Sequence, residues 1–506
     1  MVRLAQKKDL IDFFYFRKRL SIIKCHTVTR QTDLVFSSHI FIFYFLSLIL
    51  GAYYFSPSRF RHLVLTLGSY LFYAWWNPWF VLLMIGSTII DFLCGKIIFN
   101  SDHEKPHRKI GLLISIAANL SILGFFKYGN FFADNVSILA RSIGLGEIVL
   151  PDFFNKIVLP IGISFYTFQS MSYTIDIYRK KAKPAENFLS FACYVSMFPQ
   201  LVAGPIVRYS DIAKQLRHRV HSAGSFVYGF TRFNYGFAKK ILLANPVGEI
   251  ADLCFSAGES SLSTPAAWIG VICYAFQIYF DFSAYSDMAI GLGRMFGFSF
   301  RENFDSPYKS ASITEFWRRW HISLSSFLRD YLYIPLGGNR KGISRTYINL
   351  IIVMFLGGLW HGAQWTFVLW GLIHGSILVI ERISRTNNFS KKLPRGIKVF
   401  LTLNIILIAW VFFRAENINT AWNYLSKMFG TGETGQAAGI LLGQVTRPMA
   451  CLMIIISLLA IFVMPNTGQC LRKLTSLKVI VGLLLLVFSV SVMFAQDFNP
   501  FLYFQF

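Results

Sequence analysis

Long apolar runs separated by short polar segments dominate this chain. The clearest runs cover residues 39–55, 79–95, 110–126, 399–413, 449–464 and 479–495. Each approaches the roughly 20 residues that an α-helix needs to cross about 30 Å of hydrocarbon. Counting similar windows along the whole chain predicts about eleven or twelve spanning or re-entrant segments. The pattern therefore predicts an all-α, polytopic integral membrane protein.

Composition and charge support a lipid bilayer as the surroundings of this protein. Hydrophobic residues make up 54% of the 506 residues and charged residues only 15%, which is more apolar surface than a soluble protein of this size buries. The net charge of +24 comes from basic residues in short segments between the apolar runs. Such clusters are typical of cytoplasmic loops and form no continuous basic face, so nucleic-acid binding is not expected.

The distribution of Lys and Arg also predicts an orientation. The basic segments 56–62, 96–109 and 178–187 are expected in the cytoplasm, and the stretch 127–156, with three positive charges, outside. Residues 1–33 conflict with this orientation, because eight Lys and Arg against three Asp precede the first apolar run. We hypothesise that 1–33 is a basic extension outside the working protein, which starts at Leu34 and forms one membrane domain over 34–506.

Glycine and proline interrupt the apolar runs near residues 159–164 and 203–205. Broken helices are tolerated in a membrane only where protein or a water-filled cavity satisfies their backbone groups. A cavity near the middle of the chain is therefore expected.

Motifs of soluble enzymes are missing, and the seven scattered cysteines indicate neither a disulfide framework nor a metal centre. Asp281 and Asp287 are separated by about 240° around a helix, so they should not form an acid/base pair. We expect them to satisfy arginine or backbone partners inside the bundle.

Two histidines are the main candidates for chemistry. His361 lies within the apolar stretch 350–370, where an ionisable side chain is costly and is a functional candidate by default. The alternative is a packing histidine that bonds to carbonyls. His321 follows the aromatic and cationic segment Phe316-Trp-Arg-Arg-Trp-His321, which would either anchor the chain at the membrane interface or line a donor entrance. His374 should point about 220° away from His361 on a continuous helix and is expected to be structural.

Six motifs carry a resemblance to a known family. They cover residues 160–179, 198–208, 276–287, 316–325, 328–340 and 357–363, the last reading Gly357-Gly-Leu-Trp-His-Gly-Ala363. In order and spacing they resemble the membrane-bound O-acyltransferase family, and within it the bacterial branch of alginate O-acetylation and D-alanyl transfer proteins. The resemblance extends from about Leu34 to the aromatic C-terminus, and the extension 1–33 has no counterpart in it.

The resemblance implies a helical membrane disc with a thinned centre and a transmembrane channel, and a catalytic region at about 276–380. It also implies His361 as the catalytic histidine and His321 as the second family histidine. A neutral histidine can take the proton of an attacking hydroxyl, which typically contributes about 10²- to 10⁴-fold to the rate. The residues expected to line the channel or bind the donor are Trp317, Arg318, Arg319, Trp320, Arg329, Asp330, Asn339, Arg340, Trp360 and Trp365. A basic cytoplasmic turn is the simpler account of residues 337–342, and the same alternative applies to the arginines at 318, 319 and 329.

The expected function is O-acetyl transfer across the bacterial cytoplasmic membrane. The donor would be acetyl-CoA or another acetyl thioester, including an acyl carrier protein, and no bound cofactor or metal is expected. The acceptor would be an exopolysaccharide such as alginate, or an extracytoplasmic acetyltransferase partner. Peptidoglycan O-acetylation and D-alanyl transfer to teichoic acid are alternatives within the class. A transporter or export subunit is the alternative from another class, although paired halves with matching broken segments are not found.

Overall fold

The computed structural model describes residues 34–101, 106–145, 158–202, 204–384, 393–431, 435–496 and 498–500. All regular structure within these ranges is helical. The predicted extension 1–33 lies outside the described residues.

The helices of the first half are α1 (Leu46–Phe55), α2 (Arg61–Ala74), α3 (Pro78–Asn100), α4 (Pro106–Leu123), α5 (Gly129–Ser142), α6 (Ile163–Tyr178), α7 (Phe188–Ser196), α8 (Phe198–Leu201), α9 (Tyr209–Arg217), α10 (Ala223–Ala238) and α11 (Asn245–Phe255). Those of the second half are α12 (Thr264–Met295), α13 (Ile313–Arg319), α14 (Ile322–Leu328), α15 (Ile343–His361), α16 (Trp365–Ser384), α17 (Arg395–Arg414), α18 (Ile418–Met428), α19 (Ala437–Val445), α20 (Pro448–Phe462), α21 (Thr467–Cys470) and α22 (Ser476–Ala495). Turns of π-helix cover Ile40–Phe45, Gly124–Tyr128, Lys239–Ala244 and Arg329–Tyr333.

Seven helical spans of the described chain are long and apolar enough to cross a membrane. They are α3, α4 with α5 taken through their π-turn, α12, α15, α16, α17 and α22. The pair α19 and α20, bent by 54°, adds an eighth if it is counted as one span. A polytopic, all-helical membrane fold is thereby confirmed. The predicted number of eleven or twelve is higher than this for two reasons. It also included re-entrant segments, and the apolar run 39–55 forms a shorter helix, Ile40–Phe55.

Helix α12 is the central element of the bundle. Its residues are buried on nearly every side, against α10, α11, α17 and α18. This burial explains why apolar residues occur around the whole circumference of the helix. The two acidic residues of α12 have cationic partners: Asp287 lies 2.8 Å from Arg232, an arginine as predicted, and 2.7 Å from Lys239, whereas Asp281 lies 2.5 Å from a lysine, Lys240. Buried charges of this kind persist only when they are paired.

The predicted break at 159–164 lies against Leu201, the residue that ends α8 shortly before the second predicted break. Gly162 has a φ of +73°, and a Cβ atom there would lie 2.6 Å from the carbonyl oxygen of Leu201. Only glycine combines this left-handed backbone with so close an approach. Helix α6 therefore begins, and α8 ends, at one shared contact inside the bundle.

Helices α15 and α16 form an antiparallel pair with very close backbones. A Cβ atom at Gly358 would lie 2.3 Å from the carbonyl oxygen of Phe367, and one at Gly371 would lie 2.3 Å from that of Met354. Small residues permit such approach between helices in a membrane. The pair frames one side of the region that contains His361.

This close packing predicts that Gly358→Ala and Gly371→Ala each lower the thermal stability of the detergent-solubilised protein. Forcing a methyl group into packed backbone typically costs about 1–3 kcal/mol, so the apparent melting temperature should fall. Gly86→Ala is the matched control, because a Cβ atom there has no neighbour within 4 Å. Equal melting of all three variants would contradict the observed approach of α15 and α16.

Candidate functional site

His361 is the last residue of α15 and is 8% exposed. The last carbonyl groups of α15 accept hydrogen bonds from side chains of the π-turn that connects α4 and α5. The hydroxyl of Tyr128 donates to Leu359 at 2.7 Å, and Lys127 Nζ donates to Trp360 at 2.5 Å and to His361 at 3.0 Å. Because the last carbonyls of a helix have no partner within the helix, these side chains allow α15 to end inside the bundle.

Aromatic rings surround the imidazole of His361. Its centroid lies 5.0 Å from that of Trp360, 5.2 Å from Trp370 and 5.1 Å from Phe413, each in an edge-to-face arrangement. These walls limit the access of water to the ring on three sides and leave the remaining side to a cavity.

A cavity of about 410 Å³ reaches His361 along one face of α15. It is lined by Thr314, Trp317, Arg318, Ile322, Leu324, Ser325, Ser326, Leu328, Arg329, Tyr333, Leu350, Val353, Met354, Gly357, His361 and Leu378. The lining positions of α15 extend from Leu350 to His361, which corresponds to about 16 Å at 1.5 Å per residue. The exposed side chains of Arg318 and Arg329 provide positive charge in the lining. The shape and lining suit an elongated, largely apolar ligand with an anionic group.

His321 lies between the short helices α13 and α14 and is fully buried. Its φ of +42° places a non-glycine residue in the left-handed region, which costs free energy and persists only when neighbouring structure enforces it. Two backbone hydrogen bonds do so: Ile322 N–H donates to Asn303 at 2.9 Å, and Asp305 N–H donates to Arg319 at 2.9 Å. The segments 303–305 and 319–322 thereby fix the position of His321.

The imidazole of His321 is near His361 but does not line the cavity. The Trp360 ring has its centroid 6.0 Å from that of His321 and 5.0 Å from that of His361, so it contacts both histidines. His321 Nδ1 lies 3.1 Å from Asn303 Oδ1, and Nε2 has no hydrogen-bond partner among the described residues. The buried position rules out a role for His321 as a surface anchor at the membrane interface.

The expectation for His374 was wrong in its geometry. His361 and His374 both pack on Trp370, whose ring centroid lies 5.2 Å and 4.9 Å from theirs. The angular argument assumed one continuous helix, but the chain reverses between α15 and α16 at residues 362–364. His374 therefore lies in the same aromatic cluster as His361, with no hydrogen-bond partner for either ring nitrogen in the described chain.

The predicted channel residues separate into two groups. Trp317, Arg318 and Arg329 line the cavity together with His361. Arg319 instead pairs with Glu315 at 3.0 Å and Asp305 at 3.4 Å. Trp320 is 2% exposed and stacks on Phe316. Local folding of α13 directs these two side chains away from the cavity, contrary to the expectation.

Asp330 anchors the basic side of the cavity and does not line it. Its carboxylate lies 2.7 Å from Arg329 and 2.8 Å from Arg208. Partial burial opposes ionisation, but the hydrogen bonds from Arg329 and Arg208 outweigh it and lower the pKa of Asp330 below its usual value. A permanent carboxylate thus holds two arginines near the cavity.

Three further predicted residues lie away from the cavity. Asn339 and Arg340 are exposed on the turn that precedes α15, which fits a basic surface turn. Trp365 is 52% exposed and donates to Asn135 at 3.0 Å. Trp365 is the first residue of α16, after the chain reversal, and its ring packs on α5. It therefore does not line the cavity, although the sequence predicted that it would. Trp360 does border His361, as its ring contact shows.

Sequence reasoning missed Lys127 and Asn303. Lys127 had been assigned to an outside stretch, 127–156, but the chain continues as helix through the π-turn into α5, and residues 146–157 lie outside the described ones. The position of Lys127 directly after the apolar run 110–126 could have indicated this role, because a cation within the membrane needs a partner. No sequence pattern indicated Asn303, because its hydrogen-bond partners lie 17 to 20 residues away in the chain and are brought to it only by folding.

Both histidines and the lining of the cavity lie within a region that matches a known family. Residues 154–415 match the family described as "MBOAT, membrane-bound O-acyltransferase family". The probable alginate O-acetylase AlgI of Azotobacter vinelandii is 42% identical over 94% of this chain and 100% of its own length. The protein of the same name from Pseudomonas aeruginosa is 47% identical over 79% of this chain and 75% of its own. A peptidoglycan O-acetyltransferase of Helicobacter pylori is 36% identical over 95% of this chain and 99% of its own.

The cavity should be reachable by a water-soluble thiol reagent. In a background with Cys25, Cys451 and Cys470 replaced by serine, we expect Ser326→Cys to react with a charged maleimide in inverted membrane vesicles, whose cytoplasmic face is outward. The buried cysteines at 94, 193, 254 and 273 serve as the internal control. Labelling only in right-side-out vesicles would contradict the predicted orientation, and labelling in neither would contradict an open cavity.

Proposed function

Because this chain belongs to the membrane-bound O-acyltransferase family and is a multi-pass membrane O-acyltransferase, we propose that it acetylates an extracytoplasmic polysaccharide, with alginate as the first candidate. The observation that carries this proposal is the cavity that connects two arginines with the buried His361. The names of the relatives at 42% and 47% identity support alginate as the polymer.

The donor in this proposal is an acetyl thioester that enters from the cytoplasmic side. Such donors, acetyl-CoA or an acyl carrier protein, carry phosphate close to a long flexible arm. Arg318 and Arg329 would bind the phosphate through charge-assisted hydrogen bonds, and the apolar face of α15 would hold the arm. Asp330 would restrain Arg329 in this arrangement.

His361 acts as the general base in the proposed reaction. It takes the proton of the acceptor hydroxyl, whose oxygen attacks the carbonyl carbon of the thioester. The carbon–sulfur bond then breaks, and the thiolate leaves and takes up the proton. The hydrogen bonds from Lys127 and Tyr128 to the end of α15 keep the imidazole at the end of the cavity, and correct positioning of this kind supplies a large part of enzymatic rate enhancement. His321 contributes the second imidazole, next to Trp360.

The polymer, or a partner acetyltransferase outside the membrane, receives the acetyl group in this scheme. Peptidoglycan is the second candidate acceptor, because the Helicobacter pylori relative matches nearly the full length of this chain. D-alanyl transfer to teichoic acid and a transport function remain the less supported alternatives, since the relatives with the highest identity named above are O-acetylases.

Replacing the proposed base should abolish transfer. In cells that otherwise lack the protein, we expect His361→Ala to reduce polymer-bound acetate by about 10²- to 10⁴-fold, the usual contribution of a positioned base. His218→Ala, at an exposed position, is the matched histidine control, and His321→Ala tests the second histidine. Membrane levels are measured for each variant. Acetylation at the normal level with His361→Ala would assign this histidine to packing and refute the mechanism.

The arginines make a prediction about the donor. In inverted vesicles supplied with acetyl-CoA, we expect Arg318→Gln to raise the KM for the donor by about 10-fold or more, because a hydrogen bond to a charged group typically contributes about 1.5–3 kcal/mol. The kcat should change little, and Arg59→Gln, outside the cavity, is the control. An unchanged KM would exclude Arg318 from donor binding. Transfer from an acetylated carrier protein but not from acetyl-CoA would identify the other donor.

A further inference from the structure

Asn303 bonds to the segment 321–323 through both its backbone and its side chain. Its carbonyl oxygen accepts the N–H of Ile322. Its side-chain Oδ1 lies 3.2 Å from the backbone nitrogen of Ser323, 2.8 Å from the Ser323 hydroxyl and 3.1 Å from His321 Nδ1. Asn303, His321 and Ser323 are buried.

The backbone N–H of Ser323 determines which way the amide of Asn303 points. A peptide N–H can only donate, so the side-chain atom opposite it must be the acceptor oxygen and not the NH₂ group. The other end of the amide agrees, because Nδ2 lies 3.0 Å from the hydroxyl of Ser286, which can accept. The orientation of Asn303 is therefore determined by its surroundings.

A fixed oxygen at Asn303 in turn determines the protonation of His321. Since Oδ1 only accepts, the hydrogen bond at 3.1 Å requires the proton to be on Nδ1. A neutral imidazole carries one N–H, so Nε2 then has a free lone pair. We propose that Asn303 is a positioning residue that holds His321 in the Nδ1–H tautomer and leaves Nε2 as a hydrogen-bond acceptor for substrate.

The surroundings of Nε2 support this role. Nε2 is buried and has no partner within the described chain, and leaving a buried polar atom unsatisfied costs free energy. The His321 ring itself does not line the cavity, so the missing donor would be a substrate hydroxyl bound inside the bundle, beyond the cavity wall. With its lone pair at Nε2, His321 can accept a hydrogen bond from a substrate hydroxyl but cannot donate one to a developing oxyanion, and the proton transfer itself stays with His361. The inference rests on the proposed function in taking His321 as part of the reaction centre.

The neighbouring serine provides a second test of the same geometry. Ser323 Oγ accepts the N–H of Ile206 at 3.0 Å, donates to Asn303 Oδ1 and lies 3.3 Å from His321 Nδ1. If Asn303 lost its oxygen, the Ser323 hydroxyl would turn its proton toward Nδ1. The imidazole would then move its own proton to Nε2, where substrate requires a lone pair.

The tautomer can be measured directly by ¹⁵N NMR on the full-length protein, labelled at histidine and reconstituted in lipid. The His321 signals are assigned by their loss in His321→Ala. We expect a protonated Nδ1 and an unprotonated Nε2 in the wild type. The reverse pattern, or a doubly protonated ring, would overturn the proposal without any functional assay and without any variant of Asn303.

Variants then test the cause of the tautomer. We expect Asn303→Leu to shift the proton to Nε2, whereas Asn303→Asp, which keeps an acceptor oxygen, and Ser323→Ala, which keeps Oδ1, should retain the Nδ1–H form. An unchanged tautomer in Asn303→Leu would contradict the proposal. If Asn303→Leu fails to reach the membrane, a Nε2–H tautomer in Asn303→Asp or Ser323→Ala would contradict it in the same way.

Activity connects the tautomer to function. Asn303→Leu should lower polymer-bound acetate by up to about 10²-fold, as misplacement of a reacting group can, and Asn303→Asp should restore part of it. In a His321→Ala background, Asn303→Leu should have no further effect, and an equal further loss would show a merely structural role. The two proposals fail separately: full activity of His361→Ala refutes the catalytic mechanism, while the NMR result decides the role of Asn303.

Discussion

The requirement that every buried backbone carbonyl find a partner governs the centre of this protein. Helix α15 ends at His361 inside the bundle, where its last carbonyls have no partner within the helix. Lys127 and Tyr128 donate to these carbonyls from the π-turn between α4 and α5. The same contacts fix the imidazole at the end of the cavity, so a structural necessity and the placement of the proposed base depend on one set of hydrogen bonds.

Hydrogen bonds from distant segments also hold the strained backbone of His321. A left-handed residue between two short helices has few local reasons to adopt that conformation. Asn303 and the paired segments 303–305 and 319–322 supply the hydrogen bonds that enforce it. Trp360 then contacts both His321 and His361. Two histidines 40 residues apart in sequence thereby come to lie on one tryptophan, although their backbones are held by different parts of the chain.

Prediction from the sequence is confirmed for the fold, and the roles of the site residues stay predictions. Apolar length identified the long spans, and Trp317, Arg318 and Arg329 do line a cavity with His361. Prediction failed for residues whose side-chain orientation depends on neighbouring residues in the fold. Arg319 and Trp320 follow the predicted cavity residues directly, yet turn to Glu315 and Phe316, and Trp365 lies beyond a chain reversal that helical angles cannot anticipate.

The sequence by itself determined the membrane surroundings, the helical class and the family motifs, and it identified two candidate histidines, because apolar run length and the cost of an intramembrane ionisable group are properties of the chain alone. Only the tertiary structure decided that Lys127 supports His361, that His374 shares its aromatic cluster and that Asn303 holds His321. These facts depend on contacts between segments far apart in the chain. The physical reason is that hydrogen-bond partners are chosen by proximity after packing, and no local pattern encodes that proximity.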